Sequence, residues 1–575
     1  MLKMRRAMDA IPGLPHVKTG TAAEFFDGIH RDASAAGTEV ATWDGELYLE
    51  YHRGTYTTQA HNKKMNRLLE FKLAQAEWLS SMAYLSGGIY EGGALYDCWE
   101  TVLRNQFHDI IPGSSIREVY EDSAKEYAAT LGQVERIEAE ALNRLSRADE
   151  RAVTVYNFSS FPRKDRVRLP VSEGFEKYTN AQGQALEAQV ADGFAEVLVQ
   201  IKPLSCETIY CAFGQAQKDA DWVSVDLSAR TLETPYYAIA WTENGALSRI
   251  YDREQDRQIL AEGGRGNILE IFEDKPMAHD AWDIDIFYTQ KREEAALVEP
   301  AHLVESGPLK AVLGMAYRYN RSTICQRMVV YRDSRRIDFE TQVDWHEDHR
   351  LLKVAFETNI RSTKATYDIQ YGHVERPTHF NTSWDWARFE VVGHKWADLS
   401  EAGYGVSLLN DCKYGYNIKD RTVKLSLLKS SKSPDTEADM GVHSFTYSLY
   451  PHVGGLLDGG TIEEGTALNL PLIWAEGGSV AAGRQLFALS SNQICIDAVK
   501  KAEDEDCLVL RVHECHGGRA PVTITSDFGI QAFALCNILE EEQEAWQTGD
   551  RIQTVLKPFE IRNYKVKFSQ MKSAR

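Results

Sequence analysis

The densest chemistry in the chain is Leu103-Arg-Asn-Gln-Phe-His-Asp-Ile-Ile-Pro-Gly-Ser-Ser-Ile116, which sets an amide pair, Asn105 and Gln106, beside an imidazole and a carboxylate, His108 and Asp109. Imidazole is a common ligand for zinc, and a neighbouring carboxylate can accept protons from a substrate's hydroxyls. The same side chains suit a solvated helix end, where a histidine gains from the helix dipole. One histidine leaves both readings open. Two further groupings suit a polyhydroxylated ligand. Arg53 and Tyr56, within His52-Arg-Gly-Thr-Tyr-Thr-Thr-Gln59, offer a guanidinium and a phenol to sugar hydroxyls; alternatively Tyr56 packs on the following helix. Trp282, with Asp280, Asp283 and Asp285 around it, offers an indole face to sugar C–H groups and carboxylates to hydroxyls, or it anchors a sheet-edge loop. His373, Glu375 and His379 can be drawn as a metal cluster, but Pro377 interrupts it, and packing with Arg376 in an ion pair is the preferred reading. Residues 344–350, Asp-Trp-His-Glu-Asp-His-Arg, read as a charged hairpin turn.

These groups need elements to hold them. Met65, Leu68, Leu69, Leu73, Ala76, Leu79 and Met82 recur at three- and four-residue steps and predict one helix. Gly87-Gly88 and Gly92-Gly93 break the chain before a second helix over about 94–107, which carries the His108 segment at its end. Pro112-Gly113 stops that helix, and Ser114 or Ser115 caps a third over about 115–147, with Glu118 closing a capping box. Three antiparallel helices with short loops make a bundle. From Ala152 onward the apolar period becomes two, as in residues 153–158, 165–171, 195–201 and 336–344, which predicts antiparallel sandwiches. The fold class is therefore multidomain α+β: a three-helix bundle followed by large antiparallel β-sandwich domains. The boundaries fall at 1–45 (a tail with a helix capped by Thr21), 46–148 (bundle), 149–230 (small β domain), 231–450 (large sandwich) and 451–575 (C-terminal β domain). Residues 41–56 read as a short extended stretch, with Leu47 and Leu49 alternating against Glu46 and Glu50.

Three long segments, in order, carry a resemblance to a known family. They are Asn105 to Ser115, Trp43-Asp-Gly-Glu-Leu-Tyr-Leu-Glu-Tyr-His-Arg-Gly-Thr-Tyr-Thr-Thr-Gln59, and Tyr367-Asp-Ile-Gln-Tyr-Gly-His-Val-Glu-Arg-Pro-Thr-His-Phe-Asn-Thr-Ser-Trp-Asp-Trp386. Together they resemble glycoside hydrolase family 38, the class II α-mannosidases. The resemblance implies a galactose-mutarotase-like supersandwich for the large β region and a retaining, Zn2+-dependent hydrolysis of α-mannosides. It makes His108 the one zinc ligand contributed here, and Asp109, Arg53, Tyr56, Trp282 and Asp283 the substrate-binding residues. It also implies an N-terminally truncated chain that begins near the end of the family's α/β catalytic domain, which supplies three zinc ligands, the nucleophile and the acid/base. His30-Arg-Asp32 has the letters of a metal pair but sits on a predicted helix, where i and i+2 diverge, and it is rejected. No catalytic residue is assigned here. Taken alone, the chain is expected not to turn over a mannoside, and an exposed apolar face is expected on residues 1–40 and around His108. The alternatives are a non-catalytic carbohydrate-binding or structural remnant of a split or decayed gene, and a mannosylglycerate hydrolase of the same family.

Composition bounds the partners. With 64 Lys and Arg against 84 Asp and Glu, the 575-residue chain carries a formal charge of −20 and has no electrostatic reason to bind nucleic acid or an anionic membrane. Its expected partners are a mannoside or mannose-containing oligosaccharide and a separate catalytic N-terminal half; a homo-oligomer is compatible with the sequence. Nine scattered cysteines without zinc-ribbon spacing, the lack of a leader-like apolar core after the basic first residues, and the absence of an apolar run of about 18 residues point to a cytoplasmic protein.

Overall fold

The computed structural model describes all residues except 1, 49, 172–173, 217–219 and 570–575. The chain divides into two compact units, residues 1–49 and 50–575. The first holds helices α1 (Leu2–Asp9) and α2 (Ala22–Ala36). Thr21 starts α2 as expected: its Oγ1 accepts from the Glu24 amide at 3.2 Å, and the Glu24 carboxylate accepts from the Thr21 amide at 3.1 Å. His30 and Asp32 lie exposed on α2. The extended stretch expected over 41–56 does not form. Residues 41–48 carry no strand, Leu47 is exposed, Leu49 lies outside the described residues, and Arg53–Tyr56 is a 3-10 turn. Alternation over four residues lacks a partner strand here, and without one it stabilises nothing.

The second unit opens with the bundle: α3 (Ala60–Leu85), α4 (Gly92–Asn105) and α5 (Arg117–Leu145). Leu69, Leu73 and Ala76 of α3 meet Leu95, Cys98 and Val102 of α4 and Tyr127, Val134 and Ile137 of α5 in one core. The spacing of three and four puts these residues on one face of each helix. Further along α3, Trp78, Leu79 and Met82 belong to a second core with Ile496, Val499 and Leu510, which fastens the bundle to the C-terminal sheet. The expected serine cap of α5 is absent. Its N-cap is Ile116, with no side-chain hydrogen bond, because both hydroxyls turn back to Asp109.

The strands that follow pair antiparallel. A nine-stranded sheet runs from Ala296–Ser306 at one edge, through Ile337–Trp345 and Gly441–Val453, to the hairpin Lys364–Ile369 and Gly372–Pro377 at the other. A six-stranded sheet containing Ile268–Glu273, Arg350–Glu357 and Thr422–Lys429 faces it; the Phe339 and Phe356 rings meet between them at 5.8 Å. Residues 346–349 are not a hairpin turn within one sheet. They carry the chain from the nine-stranded to the six-stranded sheet, and buried Glu347 anchors the crossing by accepting from Ser322 Oγ at 2.8 Å. The strand Ala152–Asn157 pairs with Ile473–Glu476, and Ser224–Asp226 pairs with Thr231–Glu233, so sheets run across the sequence-drawn borders near 230 and 450. The C-terminal five-stranded sheet centres on Ile561–Phe568. Among the described residues no helix is long and apolar enough to cross a membrane.

Candidate functional site

Two turns bring the candidate residues to the N-terminal end of α3. The first is Arg53–Tyr56, packed on the loop that carries Trp282. The Gly54 amide donates to Trp282 O at 2.8 Å, Thr58 Oγ1 donates to Ala281 O at 2.9 Å, and the His52 and Trp282 rings lie 4.6 Å apart. A Cβ on Gly54 would stand 2.9 Å from both Ala281 O and Asp283 N, so only glycine allows this approach. Arg53 is buried. It donates to Ala387 O from Nε and Nη2 at 3.3 and 3.0 Å, lies 3.5 Å from Asp283 Oδ1, and covers the Phe389 ring at 4.3 Å. Burial pushes the Asp283 carboxyl up, opposed by the Ile284 amide and the Arg53 charge. Two expected sugar contacts, Arg53 and Asp283, thus face one another inside the loop packing. Of the other carboxylates around Trp282, Asp280 accepts from the Lys432 amide at 2.6 Å and Asp285 from the Met277 amide at 2.8 Å. Tyr56 and Trp282 are half-buried at the margin of this turn.

The second turn follows α4. The helix ends at Asn105 rather than 107, and its amide pair is structural. Asn105 Nδ2 donates to Glu126 at 2.8 Å, while Gln106 Nε2 donates to Asn66 Oδ1 at 2.9 Å and Glu70 Oε1 at 2.8 Å. His108 and Asp109 project beyond this anchorage. The His108 side chain is 71% exposed, with Nε2 3.2 Å from Asp109 Oδ2. Ser114 Oγ holds Asp109 Oδ1 at 3.1 Å, and Ser115 Oγ holds Asp109 O at 2.8 Å. Leu103, Phe107 and Ile116 are exposed around this turn, the apolar face expected there.

The turns are joined by Gly113 and by two residues that the sequence does not single out, Lys63 and Asp439. Lys63 of α3 is buried and donates to Thr58 O of one turn and to Ile111 O of the other, the latter at 2.8 Å. Burial brings its ammonium down to about 7, opposed by the Asp439 carboxylate and reinforced by Lys413. Gly113, at φ 93°, presses on the same place: a Cβ there would stand 2.5 Å from Thr58 O. Asp439 caps α3 from 379 residues away, accepting from the Gln59 and Ala60 amides at 3.0 and 2.7 Å. Asn62, Lys63, Asn66, Arg67 and Glu70 recur at helical spacing, and that polar stripe beside an apolar one is the sequence signal for such a buried junction. Trp384 and Trp386, on a short helix whose Ala387 O receives Arg53, are 61% and 53% exposed, so the structure sets two further indoles beside the Arg53 turn. His373 and Glu375 share the strand Gly372–Pro377, whereas His379 pairs with Asp385 at 3.5 Å, and no metal cluster joins the three. Arg376 is buried, donates to Val392 O at 2.7 Å and covers the Tyr367 ring.

Three family descriptions match this sequence. Residues 50–145 match the alpha mannosidase middle domain, 232–437 the glycosyl hydrolases family 38 C-terminal domain, and 493–564 the family's C-terminal beta sandwich domain. Alpha-mannosidase G of Dictyostelium discoideum is 34% identical over an alignment taking in 96% of this chain and 55% of that protein. Alpha-mannosidase 2C1 of Homo sapiens is 33% identical over 98% of this chain and 54% of its own. The chain spans about half the length of the curated relatives it matches. Among solved structures, an alpha-mannosidase from Enterococcus faecalis V583 superposes with a TM-score of 0.80 at 16% identity, covering 98% of this chain and 74% of that one. A glycosyl hydrolase family 38 protein from Enterococcus faecalis gives 0.77 at 17%, over 98% and 75%. These two share its fold.

Proposed function

The chain belongs to glycosyl hydrolase family 38, whose middle and C-terminal domains it carries, and from that premise we propose that it serves a retaining, zinc-dependent α-mannosidase. The observation that supports this best is the His108–Asp109 turn: two polar side chains held outside the core by a hydrogen-bonded anchorage through Gln106 and Lys63. Among the described residues no group of three or more His, Cys, Asp or Glu is placed to hold a metal, so these side chains do not form a zinc site by themselves. We assign His108 as one ligand of a zinc shared with donors beyond them. We assign Asp109, braced by Ser114, as the acceptor of a hydrogen bond from a sugar hydroxyl. Tyr56 and Trp282 supply the rim, and Arg53 with Asp283 holds the Trp282 loop in place. Retention requires two carboxyl groups roughly 5 Å apart, and we assign neither to a residue of this chain.

The proposed substrate is an α-mannoside or a mannose-containing oligosaccharide, and the proposed partner is a polypeptide bearing the family's catalytic α/β domain. Nine cysteines, none in a disulfide, support a reducing compartment, and we place the protein in the cytoplasm. The test combines this chain with a family 38 catalytic domain and reads zinc content and hydrolysis of a chromogenic α-mannoside. The proposal expects one zinc per complex and release of the α-anomer first by NMR. A complex that hydrolyses the mannoside at full rate after replacement of His108 by alanine would overturn it.

A further inference from the structure

A cavity of about 850 Å³ is walled by α3 and α4, by the hairpin turn around Tyr371 and by the strand Ile494–Lys501. That volume falls within the range of small-molecule sites, roughly 300–1,000 Å³, and seams between modules are where such sites concentrate. His108, Asp109, Arg53, Tyr56, Trp282 and Asp283 take no part in its wall.

The wall has the chemistry of a binding site rather than of a packing fault, since empty packing faults are apolar. Its five aspartates and glutamates are matched by five lysines and arginines, and neighbours such as Lys500 and Glu503 (2.6 Å) or Lys395 and Asp368 (3.4 Å) satisfy each other. A balanced wall favours neither an anion nor a cation. Two polar atoms of wall residues, His373 Nε2 and Trp396 Nε1, are buried without a hydrogen-bond partner, so the seam beneath the wall is not fully satisfied. Tyr96 of α4 and Tyr371 of the hairpin turn add exposed phenol faces. Buried Glu77, which accepts from Trp99 Nε1 at 3.0 Å, is pushed up to about 7 by burial, so near neutrality its carboxyl can donate as well as accept. Exposed aromatic faces, a carboxyl that can donate as well as accept, and no net charge together describe the complement of a neutral, polyhydroxylated molecule.

We propose that this cavity is a second, non-catalytic site that binds a neutral saccharide. The proposal rests on the α-mannosidase reading only in choosing mannose and mannobiose as probes. Gly93, an exposed glycine of α4 on the wall, provides a place to test it: nothing lies within 4 Å of a Cβ built there, so Gly93→Trp can set an indole at the rim of the cavity without a Cβ clash. Titration calorimetry on the whole chain, with no zinc and no turnover involved, should show mannobiose binding one-to-one. Affinity should fall about tenfold or more in Gly93→Trp and in Tyr96→Ala, with melting temperatures close to that of the parent, and stay unchanged in His108→Ala. Absence of binding by either sugar, or binding lost in His108→Ala and kept in Gly93→Trp, would overturn the proposal. Neither outcome bears on the zinc assignment, which is read separately from metal content and hydrolysis.

Discussion

The Arg53 turn and the His108 turn press on one another through Thr58, Lys63 and Gly113, yet they use their polar groups in opposite ways. Arg53 is buried with its donors taken up by Ala387 O, Glu50 O and Asp283, while His108 stands 71% exposed beside Asp109 and the Phe107 ring. Residue type does not distinguish them, since both are cationic or potentially so and both flank an aromatic. Burial does. A buried charge must be matched by the fold that encloses it, so it becomes scaffold; an exposed imidazole on a rigid turn stays available to a ligand.

Replacing Arg53 with alanine should have the largest effect on stability, about 3–5 kcal/mol, because Asp283 would remain buried without its cation. Equilibrium denaturation measures this, and a loss under about 1 kcal/mol would move Arg53 to the ligand-facing class. Gly54→Ala should cost about 1–3 kcal/mol, since its Cβ meets two backbone atoms of the Trp282 loop at 2.9 Å. Lys63 tests the junction through pH. Its folded pKa of about 7 lies below the unfolded value of 10.5, so between those values the unfolded chain holds the extra proton and stability rises with pH. The stability difference between the parent and Lys63→Met should therefore shift in favour of the parent above pH 7, by up to about 1.4 kcal/mol per pH unit. A flat difference from pH 7 to 9 would contradict that burial. His108→Ala should change stability least, by less than about 0.5 kcal/mol in the same denaturation experiment.

How legible this was depends on how local each signal is. The bundle could be read because Leu69, Leu73 and Ala76 mark one helical face, and the sandwiches because their apolar period is two. Thr21 was readable as a cap because the amide it accepts from lies only three residues on. Ser115 misled for a related reason: its hydroxyl had a competing acceptor, Asp109 O, that the capping pattern does not include. The role of Arg53 was hidden because Asp283 and Ala387 lie 230 and 334 residues away. His108 and Asp109 were singled out by type and by resemblance; the polar stripe that includes Lys63 marks a buried junction, but nothing local says that it braces their turn.

The most direct test of the account is the zinc content of the complex between this chain and a family 38 catalytic domain, compared between parent and His108→Ala. The account predicts that the variant folds and associates like the parent but loses the metal, or holds it about 10–100-fold more weakly, and loses mannoside hydrolysis with it. One tightly held zinc in the variant, with activity intact, would contradict the assignment of His108 as a zinc ligand.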